Sequence, residues 1–456
     1  MTRHANRVLL IVQNLPVPFD RRVWLEAQTL RDHGYDVTVV CPAGHGTRTG
    51  RTDLDGITVL AYPGYAPGGG AAGYALEYAW SFLATDQMVR RARRGGRFSV
   101  MQACNPPDIF APIARRLWRR DGTRFVFDHH DLCPELYRSR FPDGPALPLR
   151  GLEALERATF RTADRVVSTN ESYAAVARER GGKKASEVTV VRTGPDPDKL
   201  KAVDPDPALR RGRAHLAAYV GVMGPQDGVD VVIRAVDHIV RTMGRNDISF
   251  ELMGSGDCHD ELVAERDRRG LADFVHLPGR VSDEYLATAL STADVGLSPD
   301  PLNPLNDVST MNKTMEYLAF GLPVVAFDLV ETRVSAGCSA VYADPRAADP
   351  VAAYAEALVA LVDDPEQRAL MGKRGRQRVE DELAWEHQAP AYVRVFDELC
   401  GVVRRPTLVE PGDEVTGVET KRADCVGLDA LAGARGSAND GRSTSDGRST
   451  SERSVG

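Results

Sequence analysis

The sequence predicts an α/β protein: two doubly wound domains, each a parallel sheet with helices on both faces, set about a central cleft. Three observations carry the prediction. The 456 residues exceed what one ordinary core organises. Short apolar runs alternate with segments of helical periodicity along most of the chain. Near the middle, a stretch rich in Pro, Asp and Arg interrupts the alternation, which then restarts.

The first unit opens with "RVLLIVQNLP", an apolar run ended by proline, followed by "DRRVWLEAQTLRDHGYDVTVVCP". Val23, Ala27 and Leu30 fall at helical spacing, Gly34 closes the helix, and "DVTVVCP" reads as a second strand. Strand, helix, strand in so short a span is a βαβ unit, which implies a parallel sheet with right-handed crossovers. The pattern recurs in "FSVMQAC", "RFVFDHHD", "ADRVVSTN" and "EVTVVRTG", which places a first domain at residues 1–195. Residues 196–213 carry little apolar content and read as a linker. "HLAAYVGVM", "ISFELMGSGD", "FVHLPGRV", "DVGLSP" and "PVVAF" are the strands expected in a second domain, 214–384. Residues 385–403 read as a final helix despite Pro390. The segment 406–456 holds the tandem "DGRSTSDGRSTSERS" and is expected to be disordered, because so polar a tract cannot bury enough surface to fold.

A net charge of −7 argues against a nucleic-acid partner. The first apolar stretch, Val8 to Val12, is short and reads as a strand, so no signal peptide is expected, and no run approaches the roughly 18 apolar residues that span a bilayer. The seven cysteines form no C-x-x-C pair and suit a reducing, cytoplasmic setting.

In doubly wound sheets, ligands bind beyond the carboxyl ends of the strands. The stretch "STMNKTMEYLAFGLPVVAF", from Ser309 to Phe327, sits at such an end. Only seven of the 57 basic residues are lysine, and one of them is Lys313. Ser309 or Thr310 is expected to cap a helix there, with its free N–H groups facing an anion. Lys313 in the first turn is unfavourable for the helix dipole, which suggests a negatively charged ligand such as a diphosphate. Glu316 is three residues on, on the same face, where a carboxylate suits a ribose diol. A surface helix with an incidental Lys–Glu pair is the alternative.

"FDHHDLCPELY" follows an apolar strand with Asp128, His129, His130 and Asp131. Metal ligands, sugar-binding groups and strand-end caps are all open readings, and alternation lets only one histidine face the cleft. "LMGSGD" fails as a dinucleotide fingerprint, because His259 stands where a third glycine belongs, but Gly254 fits either a plain turn or close ligand approach. Residues 90–124 hold ten arginines against Asp108 and Asp121. They read either as solvated helix faces or as a surface for anionic lipid or a phosphorylated acceptor.

With these residues in view, the chain resembles glycosyltransferase family 4, retaining enzymes of the GT-B fold in which two Rossmann-like domains face a cleft. The resemblance covers about residues 7–402 and is carried by "DRRVW.EA" and "STMNKTMEY.AFG.PVVAFDL.ETR", closest to bacterial polysaccharide and sugar-antigen transferases. It implies a donor-binding second domain, an acceptor-binding first domain and a last helix that crosses back to the first. It implies that Glu316 contacts the donor ribose, that His130 lies near the donor sugar and that Lys313 meets the diphosphate. Arg280 and Val281 would flank the base, with Ser309, Thr310, Asp307 and Gly254 also lining the donor side. Asp20, Arg21, Arg22 and Asp131 would lie on the acceptor and phosphate side.

The implied reaction moves a sugar from a UDP- or GDP-sugar to a hydroxyl of a glycan or polyprenyl-linked acceptor, without a metal or other cofactor. The acceptor hydroxyl attacks from the face of the leaving phosphate, which takes its proton. The chain departs from the family pattern at Val308, where the first glutamate of E-x7-E belongs, and at Val222 and Asp227, where Arg and Lys are usual. "PVPFDRR" also replaces the first loop's glycine pair. A nucleotide-sugar-binding protein without catalysis and a nucleotide-sugar 2-epimerase are the competing readings. The expected location is the cytoplasm, with the 90–124 region available to the inner face of the plasma membrane.

Overall fold

A computed structural model describes residues 6–44, 46–65, 70–197 and 199–403, with backbone alone for 70–72 and 74. The expected tail 406–456 lies outside the described residues, as does Asp198 of the linker. The first half contains strands β1 (Arg7–Ile11), β2 (Asp36–Pro42), β3 (Gly50–Leu54), β4 (Ile57–Tyr62), β5 (Val100–Cys104), β6 (Arg124–His129), β7 (Arg165–Ser168) and β8 (Val188–Val190). Its helices are α1 (Arg21–Asp32), α2 (Gly70–Ala92), α3 (Ala111–Asp121), α4 (Cys133–Arg140), α5 (Ala146–Thr162) and α6 (Glu171–Glu179). The second half contains β9 (His215–Val222), β10 (Ile248–Ser255), β11 (Val275–Gly279), β12 (Val295–Ser298), β13 (Val324–Phe327) and β14 (Ala340–Ala343). Around them are α7 (Val229–Arg241), α8 (His259–Arg268), α9 (Asp283–Thr292), α10 (Asn312–Ala319), α11 (Val330–Ala336), α12 (Pro350–Val362) and α13 (Pro365–Arg378). A last helix, α14 (Trp385–Cys400), ends the described chain.

Two sheets result, with strand orders β3-β4-β2-β1-β5-β6-β7-β8 and β11-β10-β9-β12-β13-β14. All pairings are parallel except β3 with β4. The order reverses between β1 and β5 in one sheet and between β9 and β12 in the other, so each sheet offers one crevice at its strand ends. β3, β4 and β14 are additions to the sequence-based reading. "GRTDL" is polar and almost wholly exposed on the sheet edge, so it carries no apolar alternation to read.

Alternation along the strands builds a core on each face. In β1, Val8 and Leu10 pack with Val23, Ala27 and Leu30 of α1, while Leu9 and Ile11 pack on the other face with Val89, Ile113 and Leu117. Asp20 starts α1 by accepting a 3.0 Å hydrogen bond from the Val23 amide. Gly34, at φ +84°, closes it in a conformation that costs other residues strain.

α14 returns to the first half. Trp385, Tyr392, Val395 and Phe396 complete the core that α1 covers. Tyr392 donates to Gln102 Oε1 at 2.8 Å, Trp385 Nε1 to Thr29 Oγ1 at 2.8 Å, and Tyr35 to Asp397 at 2.6 Å. The chain therefore passes between the halves twice, and the two passages touch. Trp385 N donates to Pro195 O at 3.1 Å, and a side chain at Gly194 would lie 2.3 Å from Leu383 O. The 196–213 segment lies against the second half through Arg210, which pairs with Asp294 at 2.6 Å, and through Asp206 N on Thr292 Oγ1 at 2.9 Å.

Truncating Phe396 to Ala is expected to cost about 3–5 kcal/mol of stability by leaving a cavity under α14. Tyr392→Phe should cost about 1–3 kcal/mol, because it strips the buried Gln102 oxygen of its donor. Urea unfolding of both variants checks the order.

Candidate active site

The first half brings three strand ends to the cleft. At the end of β6, Asp128 turns inward and is fully buried. His129 points to the opposite face, among Phe127, Phe160 and Tyr173 at centroid distances of 5.3, 5.0 and 5.4 Å. Burial there lowers its pKa to about 3, so the ring is neutral. His130 is the histidine that reaches the cleft, its Nδ1 3.6 Å from Asp128 Oδ2 and its side chain 15% exposed. Asn105, just beyond β5, fixes this turn. Its side-chain oxygen accepts from the amides of His130 at 2.9 Å and Asp131 at 3.1 Å, and its amide donates to Asp131 O at 2.7 Å. Asp20 and Asp131 both have carboxyls raised by burial, with His130 acting the other way.

Arg22 corrects the sequence-based expectation of a ligand contact. Its guanidinium faces the interior, 2.8 Å from Asp128 Oδ1 and 3.2 Å from Glu26 Oε1, and donates to Val191 O and Thr193 Oγ1, each at 3.0 Å. Gln102 donates to Glu26 Oε2 at 2.7 Å and joins the network to Tyr392 of α14. Among the described residues, Glu26, Cys104 and Asp128 form the one trio spaced for a metal ion, within 4.8 Å of one another. The Arg22 cation lies against two of the three. Burial opposes its charge, but Asp128 and Glu26 outweigh that and keep it protonated.

Arg21, the preceding residue, points the other way and bridges the cleft, 3.0 Å from Asp283 and 3.3 Å from Glu316. Burial raises the Glu316 carboxyl; Arg21 opposes this and Asp283 adds to it. Arg280 places its guanidinium 3.9 Å from the Phe19 ring centroid, and Arg140 of α4 lies 3.6 Å from Asp257.

In the second half, α10 begins later than expected. Its N-cap is Met311, without a side-chain cap, so neither Ser309 nor Thr310 caps it. Instead both join the halves. Ser309 Oγ donates to Leu305 O at 2.7 Å and meets the Tyr173 hydroxyl at 2.8 Å, while Asn170 Nδ2 donates to Thr310 Oγ1 and to Val308 O, each at 3.0 Å. Asp307 is likewise an internal partner, accepting from the Val330 amide at 3.0 Å. Gly254 is required by packing: a Cβ there would lie 1.8 Å from Gly221 O on β9. Val281 is partly buried against the core beside Leu286 and Leu290.

Lys313 lies across the ends of β9 and β12. Its Nζ is 2.5 Å from Asp300 Oδ1 and 5.3 Å from the Tyr219 ring centroid, with the side chain 9% exposed. Burial works against the ammonium, but Asp300 and Asp227 prevail and hold its pKa above the ordinary value. An internal carboxylate thus meets the charge that the sequence assigns to a ligand. Asp300 lies 13 residues earlier in the chain, which no short motif reveals. Burial, opposed by Lys313, pushes the Asp227 carboxyl up to about 6.

The cleft collects His130, Asp20, Asp131, Arg21 and Arg140 from one side and Lys313, Glu316, Asp227, Asp300 and Arg280 from the other. Such a set can bind an anion at Lys313 and hydroxyl groups at the carboxylates and the imidazole.

Arg22→Ala is expected to cost about 3–5 kcal/mol, since it leaves buried carboxylates unpaired. Arg21→Ala, at a half-exposed pair, should cost no more than about 1 kcal/mol. Equal losses on thermal unfolding would contradict these roles.

A family model described as Glycosyl transferase 4-like domain matches residues 20–194, and one described as Glycosyl transferases group 1 matches residues 214–364. Glycogen synthase of Mycobacterium tuberculosis is 26% identical over 249 residues, 54% of this chain and 57% of its own length. The chain thus spans little more than half of that relative. Sucrose-phosphate synthase from Thermosynechococcus elongatus superimposes with a TM-score of 0.72 at 17% identity, over 87% of this chain and 100% of that one. Anabaena HepE, solved in complex with UDP and glucose, gives 0.65 at 15% identity, over 86% and 100%. At those identities the structural likeness shows the fold. Two domain matches in the order of the family, on two parallel sheets facing one cleft, establish that the chain belongs to the GT-B glycosyltransferases of family 4 type.

Proposed function

We propose that this chain is a retaining glycosyltransferase that moves a sugar from a UDP- or GDP-sugar to a hydroxyl of a glycan or polyprenyl-linked acceptor. The reading rests chiefly on Lys313, a nearly buried ammonium at the strand crossover of the second sheet. A cation fixed there stabilises the charge that develops on a departing diphosphate, with no metal needed. Glu316 supplies a carboxylate for the donor ribose once Arg21 moves off it. His130 faces the cleft from the acceptor half, near the position of the transferred sugar. The solved complexes of HepE with UDP and with UDP-glucose support a nucleotide-sugar donor by fold analogy.

A nucleotide-sugar-binding protein without catalysis is the second reading, and the pairing of Lys313 with Asp300 favours it. Measuring nucleotide release from UDP- and GDP-sugars separates the two: a transferase releases nucleotide with acceptor present, and a binder releases none. Lys313→Ala is expected to lower kcat/KM by about 100- to 1,000-fold. EDTA should leave the wild-type rate unchanged.

The same proposal places the acceptor at a lipid surface. α2 exposes Leu76 and Leu83, at 56% and 65%, and α3 exposes Trp118, at 56%. α3 also lines a surface hollow with Arg115, Arg116, Arg119 and Arg120. Arg116 pairs with Asp86 of α2, which sets the two helices side by side. Among the described residues no helix is long and apolar enough to cross a membrane. Peripheral contact suits such a surface: arginines for anionic headgroups, apolar side chains for the interface. Co-sedimentation with vesicles containing phosphatidylglycerol, lost in an Arg119→Glu/Arg120→Glu variant and absent with phosphatidylcholine alone, is the expected result.

A further inference from the structure

A fixed cation attracts a diphosphate only to the extent that its charge is not already matched. At the ends of β9 and β12 it is largely matched. Lys313 pairs with Asp300 at 2.5 Å, and the other Asp300 oxygen accepts from Ser298 Oγ at 2.8 Å. Asp300 is 1% exposed, so drawing Lys313 away would leave a buried carboxylate bare.

Asp227 stands in the loop after β9. Its Oδ2 accepts from the Gly224 amide at 2.9 Å and from Gln226 Nε2 at 3.1 Å. Lys313 of α10, Asp300 after β12 and Arg140 of α4 act on its charge, it acts in turn on Tyr219 of β9 and Cys258 before α8, and Asp230 lies in the first turn of α7 just beyond it. The Tyr219 hydroxyl donates to Val222 O at 2.6 Å, and Arg140 lies 3.6 Å from Asp257. Both cations therefore already face carboxylates, and Asp227 adds a further negative charge within electrostatic reach of both.

We propose that Asp227 makes capture of the donor diphosphate proton-linked: the anion enters together with one proton, which settles on Asp227. The inference rests on the donor-site reading given above. The only bond formed is the O–H on Asp227, and solvent supplies the proton. The carboxyl then donates a hydrogen bond instead of repelling the phosphate. Burial places Asp227 close to the switching range, at about 6, and an adjacent anion raises it further. The sign follows: affinity is greatest below that value and falls as pH rises through it.

The test is isothermal titration calorimetry of the full chain with UDP-glucose, GDP-mannose, ADP-glucose and TDP-glucose, between about pH 5.5 and about pH 8. Each pH uses two buffers of different ionisation enthalpy. Both phosphates of these probes are linked on each side, so they lack the ionisation near pH 6 of a terminal phosphate. The expected result for the probe that binds is uptake of up to about one proton, with Kd rising by as much as about tenfold per pH unit above 6. Asp227→Asn keeps the acceptor for the Gly224 amide. It should bind with a flat pH profile, without proton uptake, and more tightly than wild type near pH 8. A flat wild-type profile, or uptake that persists in Asp227→Asn, overturns the proposal; the wild-type measurement decides this even if the variant does not fold. Failure of all four probes to bind both proteins overturns the donor-site reading itself, and this inference with it.

Discussion

The cleft face of the first half depends on one buried cation. Arg22 holds Asp128 and Glu26 together in the interior, and through them ties the start of α1 to the end of β6 and, by way of Gln102 and Tyr392, to α14. Burial pushes the Glu26 carboxyl well up, whereas Arg22, overcoming burial, draws Asp128 down. Asp128 is therefore a fixed negative charge behind His130. Its neighbour Asp20 caps α1 on one side of the same network, so the placement of Arg21 in the cleft follows from the placement of Arg22 in the core. Without that guanidinium, two carboxylates would be buried beside each other with no counter-charge.

The second half relies on close approach instead of charge. Gly221 and Gly254 let β9 and β10 meet at their ends, and a Cβ at Gly221 would lie 3.3 Å from Lys313 Cε. The lysine stem therefore passes over bare backbone before its ammonium reaches Asp300. A larger residue at either glycine would displace the cation as well as the strands.

Much of this was legible in the sequence, and the boundary of legibility is physical. Strands such as "RVLLI" and "HLAAYVGV" announce themselves because both faces are buried. The exposed edge strand "GRTDL" does not. Alternation correctly assigns one histidine of "FDHHD" to the interior, and the structure shows it is His129. Arg21 and Arg22 are indistinguishable as letters, and only the packing of α1 decides which meets solvent. Ser309, Thr310 and Asp307 have the chemistry of helix caps and ligand contacts. They serve as partners for Tyr173, Asn170 and the Val330 amide because elements distant in sequence arrive there first. Lys313 stands out by composition, but its partner Asp300 belongs to another loop.

The return of α14 makes the first half discontinuous: the second half is threaded between β8 and α14 like an inserted module. Both connections run through one spot, where Pro195 and Trp385 are hydrogen-bonded and Gly194 presses against Leu383. Two adjacent tethers suppress sliding and twisting but leave bending about their common point cheap, which is a hinge. The weakly bound, half-exposed Arg21 pairs sit across the mouth of the cleft. Opening at that edge would break contacts worth little, while the buried contacts of Tyr173 with Ser309 and of Asn170 with Thr310 hold the halves together elsewhere.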